Sequence, residues 1–73
     1  MNLTQLKAGD KCKVVDILGG CNMIKRLDAL GIRTGIAIIK INSIFTEPVI
    51  VQIGNTQVVV GYGMAVRIIV EPI

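Results

Sequence analysis

Histidine is absent from this 73-residue chain, and serine occurs once, at Ser43. The first absence removes the usual general base near neutral pH. The second leaves a lone hydroxyl nucleophile with no base near it in sequence. The five acids are scattered, and none forms a close pair for acid–base work. Catalysis is therefore not expected. Metal ligands are equally scarce: Cys12, Cys21, Met23 and Met64 are the soft candidates, and without imidazole or clustered thiolates they make no recognisable site. The two methionines read more simply as core filler. Two cysteines are no disulfide framework either. Aromatics are reduced to Phe45 and Tyr62, so the stacking platforms that hold single-stranded nucleic acid are nearly missing. Gly61-Tyr62-Gly63 is not followed by Gly-Lys-Ser/Thr, so it is no phosphate loop.

Long charge-free stretches are also few. The longest, Pro48 to Val66, approaches the length of a membrane span but is cut by Gly54-Asn55 and carries Gln52, Thr56 and Gln57. It reads as a hairpin. No leader-like apolar run opens the chain, because Asn2, Thr4 and Gln5 interrupt it. The expectation is a cytoplasmic protein.

What the chain has in abundance is aliphatic side chains: 52% of its residues are hydrophobic. A domain this small cannot bury them all, which suggests a partner surface or self-association through an apolar edge, although a monomeric barrel rich in valine and isoleucine would look the same. The net charge of +3 is uneven. Residues 1–40 hold seven bases and three acids, whereas residues 41–73 hold Arg67 against Glu47 and Glu71. A basic half can face phosphates or an acidic protein surface; a solvated face is the plainer account.

The stretch Gly19–Gly35 has the one helical spacing in the chain. Gly19-Gly20 ends the strand before it, Asn22 is placed to cap, and Met23, Ile24, Leu27 and Leu30 form an apolar stripe. Gly31 suits a left-handed C-terminal residue. A helix of under three turns is expected, with Lys25, Arg26 and Asp28 off the stripe; alone it would not hold. Cys21 lies at its N-terminus, where the dipole could lower a thiol pKa, although an ordinary loop thiol fits as well. The remainder reads as strands. Lys11–Leu18 alternates, with Cys12 inward, and needs a bulge at Val15-Asp16-Ile17 to keep Val14 and Ile17 on one face. Ile36–Ser43 is a nearly continuous apolar run with Lys40 as its one charge. Ile44–Glu47 is a loop. Val49–Ile53 and Thr56–Val60 flank Gly54-Asn55 as a hairpin of type II′ or I′. Gly61–Met64 is a corner and Ala65–Val70 the last strand. Five short strands around one core, with a helix between the first and second, predict a mainly β, closed or half-closed small barrel spanning residues 1–73 as one domain.

These positions, taken in order, resemble the FeoA family of small proteins of bacterial ferrous iron uptake. Leu6 and Gly9 open the match, and Val14 and Ile17 fill the first strand. Gly19, Gly20, Arg26-Leu27, Leu30-Gly31 and Gly35 match the helix and turn. Pro48, Gly54, Ala65, Ile68 and Val70 complete it. Thr34 stands where the family usually has proline, and Cys12 where it often has a small residue. The resemblance implies an SH3-like barrel without enzymatic activity or cofactor, whose partner is the membrane permease FeoB with its cytoplasmic GTPase domain. It also implies kinship with the C-terminal domain of iron-dependent repressors, although no DNA-binding helix-turn-helix is present. On that reading Lys25, Arg26, Phe45 and Tyr62 are the candidate partner contacts. Gly19, Gly20, Leu27, Leu30, Gly31, Gly35 and Ala65 are structural. A nucleic-acid-binding or regulatory barrel is the competing reading, since Lys7–Val15 also has the rhythm of KOW-type barrels.

Overall fold

The computed structural model describes residues 1–42 and 48–73. Five strands form one antiparallel sheet in the order β4-β3-β2-β1-β5: β1 Lys11–Ile17, β2 Ala37–Lys40, β3 Val49–Ile53, β4 Thr56–Val60 and β5 Ile68–Pro72. Helix α1, Cys21–Ala29, lies between β1 and β2; a single turn, α2, Tyr62–Ala65, lies between β4 and β5. The fold is mainly β, as expected. Inward residues of every strand share one core: Cys12, Val14 and Ile17 of β1, Ile38 of β2, Val49 and Val51 of β3, Val58 and Val60 of β4, Ile68 and Val70 of β5. The sheet therefore curls around that core. β4 and β5 are its two ends and do not pair with each other, so the barrel is half-closed.

Local chemistry explains most of this. The β1–β5 register shifts between Val14 and Asp16. This bulge turns Val15 and Asp16 outward and returns Ile17 to the core. The β3–β4 hairpin closes on Ile53↔Thr56. Gly54 has φ +58 and Asn55 does not share the positive φ, the pattern of a type II′ turn.

Three expectations are corrected. The second strand is shorter than Ile36–Ser43: the part described runs Ala37–Lys40, and Ser43 lies outside the described residues. Ala65 belongs to α2, not to the last strand. The turn is held by Ala65 N–H to Gly61 O at 2.9 Å and Val66 N–H to Tyr62 O at 3.1 Å, which aims the small Ala65 into the core with no exposure. The last strand then starts at Ile68 and continues through Pro72, tolerable because its missing N–H costs little on an outer strand.

The N-terminus adds a 3-10 turn, Leu3–Gln5, closed by a capping box: Asn2 accepts from Thr4 N–H while Gln5 accepts from Asn2 N–H at 2.7 Å. It sends Leu3 and Leu6 into the core. Lys40, the lone charge of β2, is only 3% exposed. Its Nζ donates to the carbonyls of Leu6 (2.7 Å) and Thr4 (3.2 Å), tying the N-terminal turn to the sheet. Burial lowers its pKa, while Asp10 pulls in the opposite direction.

Candidate functional site

The site is built around α1. Gly19, at φ +153, leaves β1; a Cβ there would lie 2.8 Å from the Met23 sulfur. Gly20 is the N-cap. The helix therefore starts at Cys21, earlier than the Asn22 cap expected, because glycine at the cap position needs no side-chain bond to begin a helix. Leu27 is its one fully buried residue, and Met23 packs at the core's margin.

Leu30 and Ile24, expected on the buried stripe, are each 43% exposed. The C-terminus explains Leu30. Gly31, at φ +89, donates to Asp28 O at 2.9 Å, and Ile32 N–H donates to Leu27 O at 2.8 Å. This is the Schellman arrangement, in which the residue after the left-handed glycine packs back on the helix. Ile32 therefore fills the core beside Leu27, both with no exposure, and Leu30 is left outside as the C-cap. The sequence signal for Ile32 was Gly31 itself. Gly35, at φ +91, donates to Val14 O at 2.7 Å and returns the chain to the β1–β2 ladder.

Between α1 and this returning segment lies an open hollow of about 190 Å³, lined by Ile17, Ile24, Lys25, Asp28, Ile32, Arg33 and Thr34. Three isoleucines, Ile17, Ile24 and Ile32, supply its apolar wall, and the other four lining residues are polar or charged. Arg33 Nε and Asp28 Oδ1 make an ion pair at 3.1 Å on its rim, both side chains more than half exposed. Such a pair adds little stability but fixes the rim's shape.

Of the expected partner contacts, Lys25 lines the hollow; Arg26 is exposed on the same helix but not in the lining. Tyr62 is 47% exposed on α2, which packs near the N-terminal turn, and is also not in the lining. Phe45 lies outside the described residues. Ile17, Ile24, Asp28, Ile32, Arg33 and Thr34 were not expected as site residues, since only the folded turn brings them together. Cys21 is exposed and Cys12 buried, where burial and Asp10 raise its thiol pKa. Among the described residues no group of three or more Cys, Asp or Glu side chains could hold a metal ion. No helix there is long and apolar enough to cross a membrane.

A half-closed five-stranded barrel with a helix after its first strand and an open hollow beside that helix defines a small β-barrel domain. The FeoA domain pattern matches residues 1–72. A solved iron uptake regulatory protein, FeoA, is 33% identical, with 100% of this chain and 97% of that one covered at a TM-score of 0.94. The chain belongs to the FeoA family. Stenotrophomonas maltophilia FeoA, solved with zinc and presented as an SH3 domain protein, is 26% identical over 97% of this chain and 89% of its own, with a TM-score of 0.73. A manganese-dependent transcriptional repressor shares the fold, at 21% identity and a TM-score of 0.89, with 100% of this chain matching 41% of the repressor. Among curated proteins, none matches this chain.

Proposed function

We propose that this chain is a non-catalytic accessory protein of bacterial ferrous iron uptake that acts by docking on the cytoplasmic GTPase domain of the permease FeoB. Family membership supports the pathway; Stenotrophomonas maltophilia FeoA is itself presented as a candidate activating factor of ferrous iron transport. The observation that carries the docking reading is the hollow beside α1. It has an apolar wall, a charged rim and a size suited to one or two side chains of a partner. Lys25 on the rim and Arg26 beside it supply positive charge, which steers an acidic surface and fixes its register.

The test is titration of the FeoB cytoplasmic domain with the full chain. Lys25→Glu with Arg26→Glu should weaken binding by more than about tenfold, because reversing two rim charges turns attraction into repulsion. Melting should be unchanged, since both side chains are exposed. Binding indifferent to these changes would remove the helix from the interface. Tight, salt-dependent RNA binding without FeoB binding would replace this reading with the nucleic-acid one.

A further inference from the structure

The two ends of the sheet are treated differently. The outer side of β5 is occupied by the chain's own start: Val70 N–H donates to Met1 O at 2.9 Å, and Asn2 bridges to Ile69. β5 also carries Glu71 and Pro72, residues that discourage further pairing. β4 has none of these protections. It is Thr-Gln-Val-Val-Val, without charge or proline, and its register with β3 runs unbroken from Val49↔Val60 to Ile53↔Thr56. Among the described residues nothing pairs with its other side. The two-residue turn makes Ile53·Thr56 a hydrogen-bonded pair, and antiparallel pairs alternate. The N–H and C=O groups of Gln57 and Val59 therefore point away from β3, to the open edge. Val59 is also 61% exposed, among the described residues the most exposed large apolar side chain apart from Ile73.

We propose that β4 is a self-pairing edge, on which a second copy of this chain adds its own β4 antiparallel about a twofold axis at Val58. In that register Gln57 stands opposite Val59 of the second copy, and each such pair exchanges both of its N–H···O bonds. The neutrality of the strand argues for a second copy as occupant. Self-pairing sets no like charges opposite one another, whereas the chain's bases are concentrated in residues 1–40, of which β4 has none. Covering Val59 against the neighbouring strand adds apolar burial. The interface is small, so association is weak, with Kd of roughly 0.1–1 mM. This inference is independent of the docking reading, since no β4 residue lines the hollow.

Sedimentation velocity of the full chain from about 20 μM to about 1 mM tests it. A reversible monomer–dimer equilibrium is expected. Val59→Pro removes an outward N–H from each copy and should weaken dimerisation more than about tenfold. Gln57→Glu and Val59→Lys should each weaken it by about threefold through like charges near the axis. Combined, they should restore it, because the new carboxylate then faces the new ammonium of the other copy. The outward position of both residues keeps these two variants folded, which circular dichroism verifies, should Val59→Pro unfold. A wild-type chain monomeric at about 1 mM overturns the proposal. So do charge variants that leave the dimer unchanged, or a combined variant no better than the single ones. A monomeric chain whose FeoB affinity falls with Val59→Lys would assign the edge to that partner and equally overturn self-pairing.

Discussion

Lys40→Met sets two effects of the same side chain against each other. Lys40 is 3% exposed and its ammonium is held by two carbonyls, with no carboxylate in ion-pair contact among the described residues. Methionine keeps the aliphatic stem and abolishes the cost of dehydrating a charge, but it leaves the carbonyls of Leu6 and Thr4 without their donor. An unpaired buried acceptor costs about 1–3 kcal/mol. Only the bond to Leu6 is fully buried; the Thr4 carbonyl is better placed to find water. Relief from charge burial offsets part of this. The net expectation is a loss of about 1 kcal/mol near neutral pH, or a melting temperature about 4–8 °C lower for a domain of this size.

The pH dependence identifies the cause. Folded Lys40 holds its proton less tightly than the unfolded amine, whose ordinary pKa is 10.5. Between the lowered value and 10.5 the unfolded chain therefore carries more protons, so stability from this residue rises with pH. Below that window both states are protonated and the burial penalty is felt in full. Cys12 runs the other way. Its folded thiol keeps its proton above the ordinary 9.0, so its contribution falls as pH passes that value. Comparing wild type with Lys40→Met cancels the cysteine. The gap in melting temperature, followed by circular dichroism from about pH 7 to about pH 11, should widen in favour of wild type as pH approaches 10.5. A gap that stays flat or shrinks would refute burial as the dominant influence on Lys40. A variant melting above wild type at neutral pH would show that the carbonyl bonds contribute less than dehydration costs.

Two further outcomes follow from α1 and the cysteines. Leu27→Ala should cost about 2–5 kcal/mol in chemical denaturation, whereas Leu30→Ala should cost under about 0.5 kcal/mol; equal costs would contradict the exchange of Leu30 for Ile32 in the core. Under native conditions a thiol reagent should label Cys21 promptly and Cys12 only through unfolding, and equal rates would place Cys12 at the surface.

The parts of this fold that sequence made readable are those decided by neighbours in the chain. Gly54-Asn55 between two β-branched runs specifies the hairpin, and alternation broken at Val15-Asp16 specifies the bulge. The parts that stayed hidden are decided by packing. α2 is a single turn whose position rests on Ala65 fitting the core, and no periodicity can develop over four residues. The choice of Ile32 over Leu30 depends on where the helix stops. The N-terminal turn was within reach, since Asn2 and Gln5 have the spacing of a capping box. As for the site, Lys25 and Arg26 were recognisable as the polar side of α1. The hollow beside them was not, because its lining comes from β1, α1 and the turn after it, which meet only once the sheet has curled.

The pairing of β1 with β5 also governs when this molecule can take shape. β1 has the much later β5 as one of its two neighbours, so a nascent chain whose β5 is still in the ribosome can form the local β3–β4 hairpin early but cannot seal the interior around Val14 and Ile17. Closure waits for Ile68–Pro72 to emerge, which makes the final seam a long-range, late event and leaves the aliphatic interior exposed to chaperones until then.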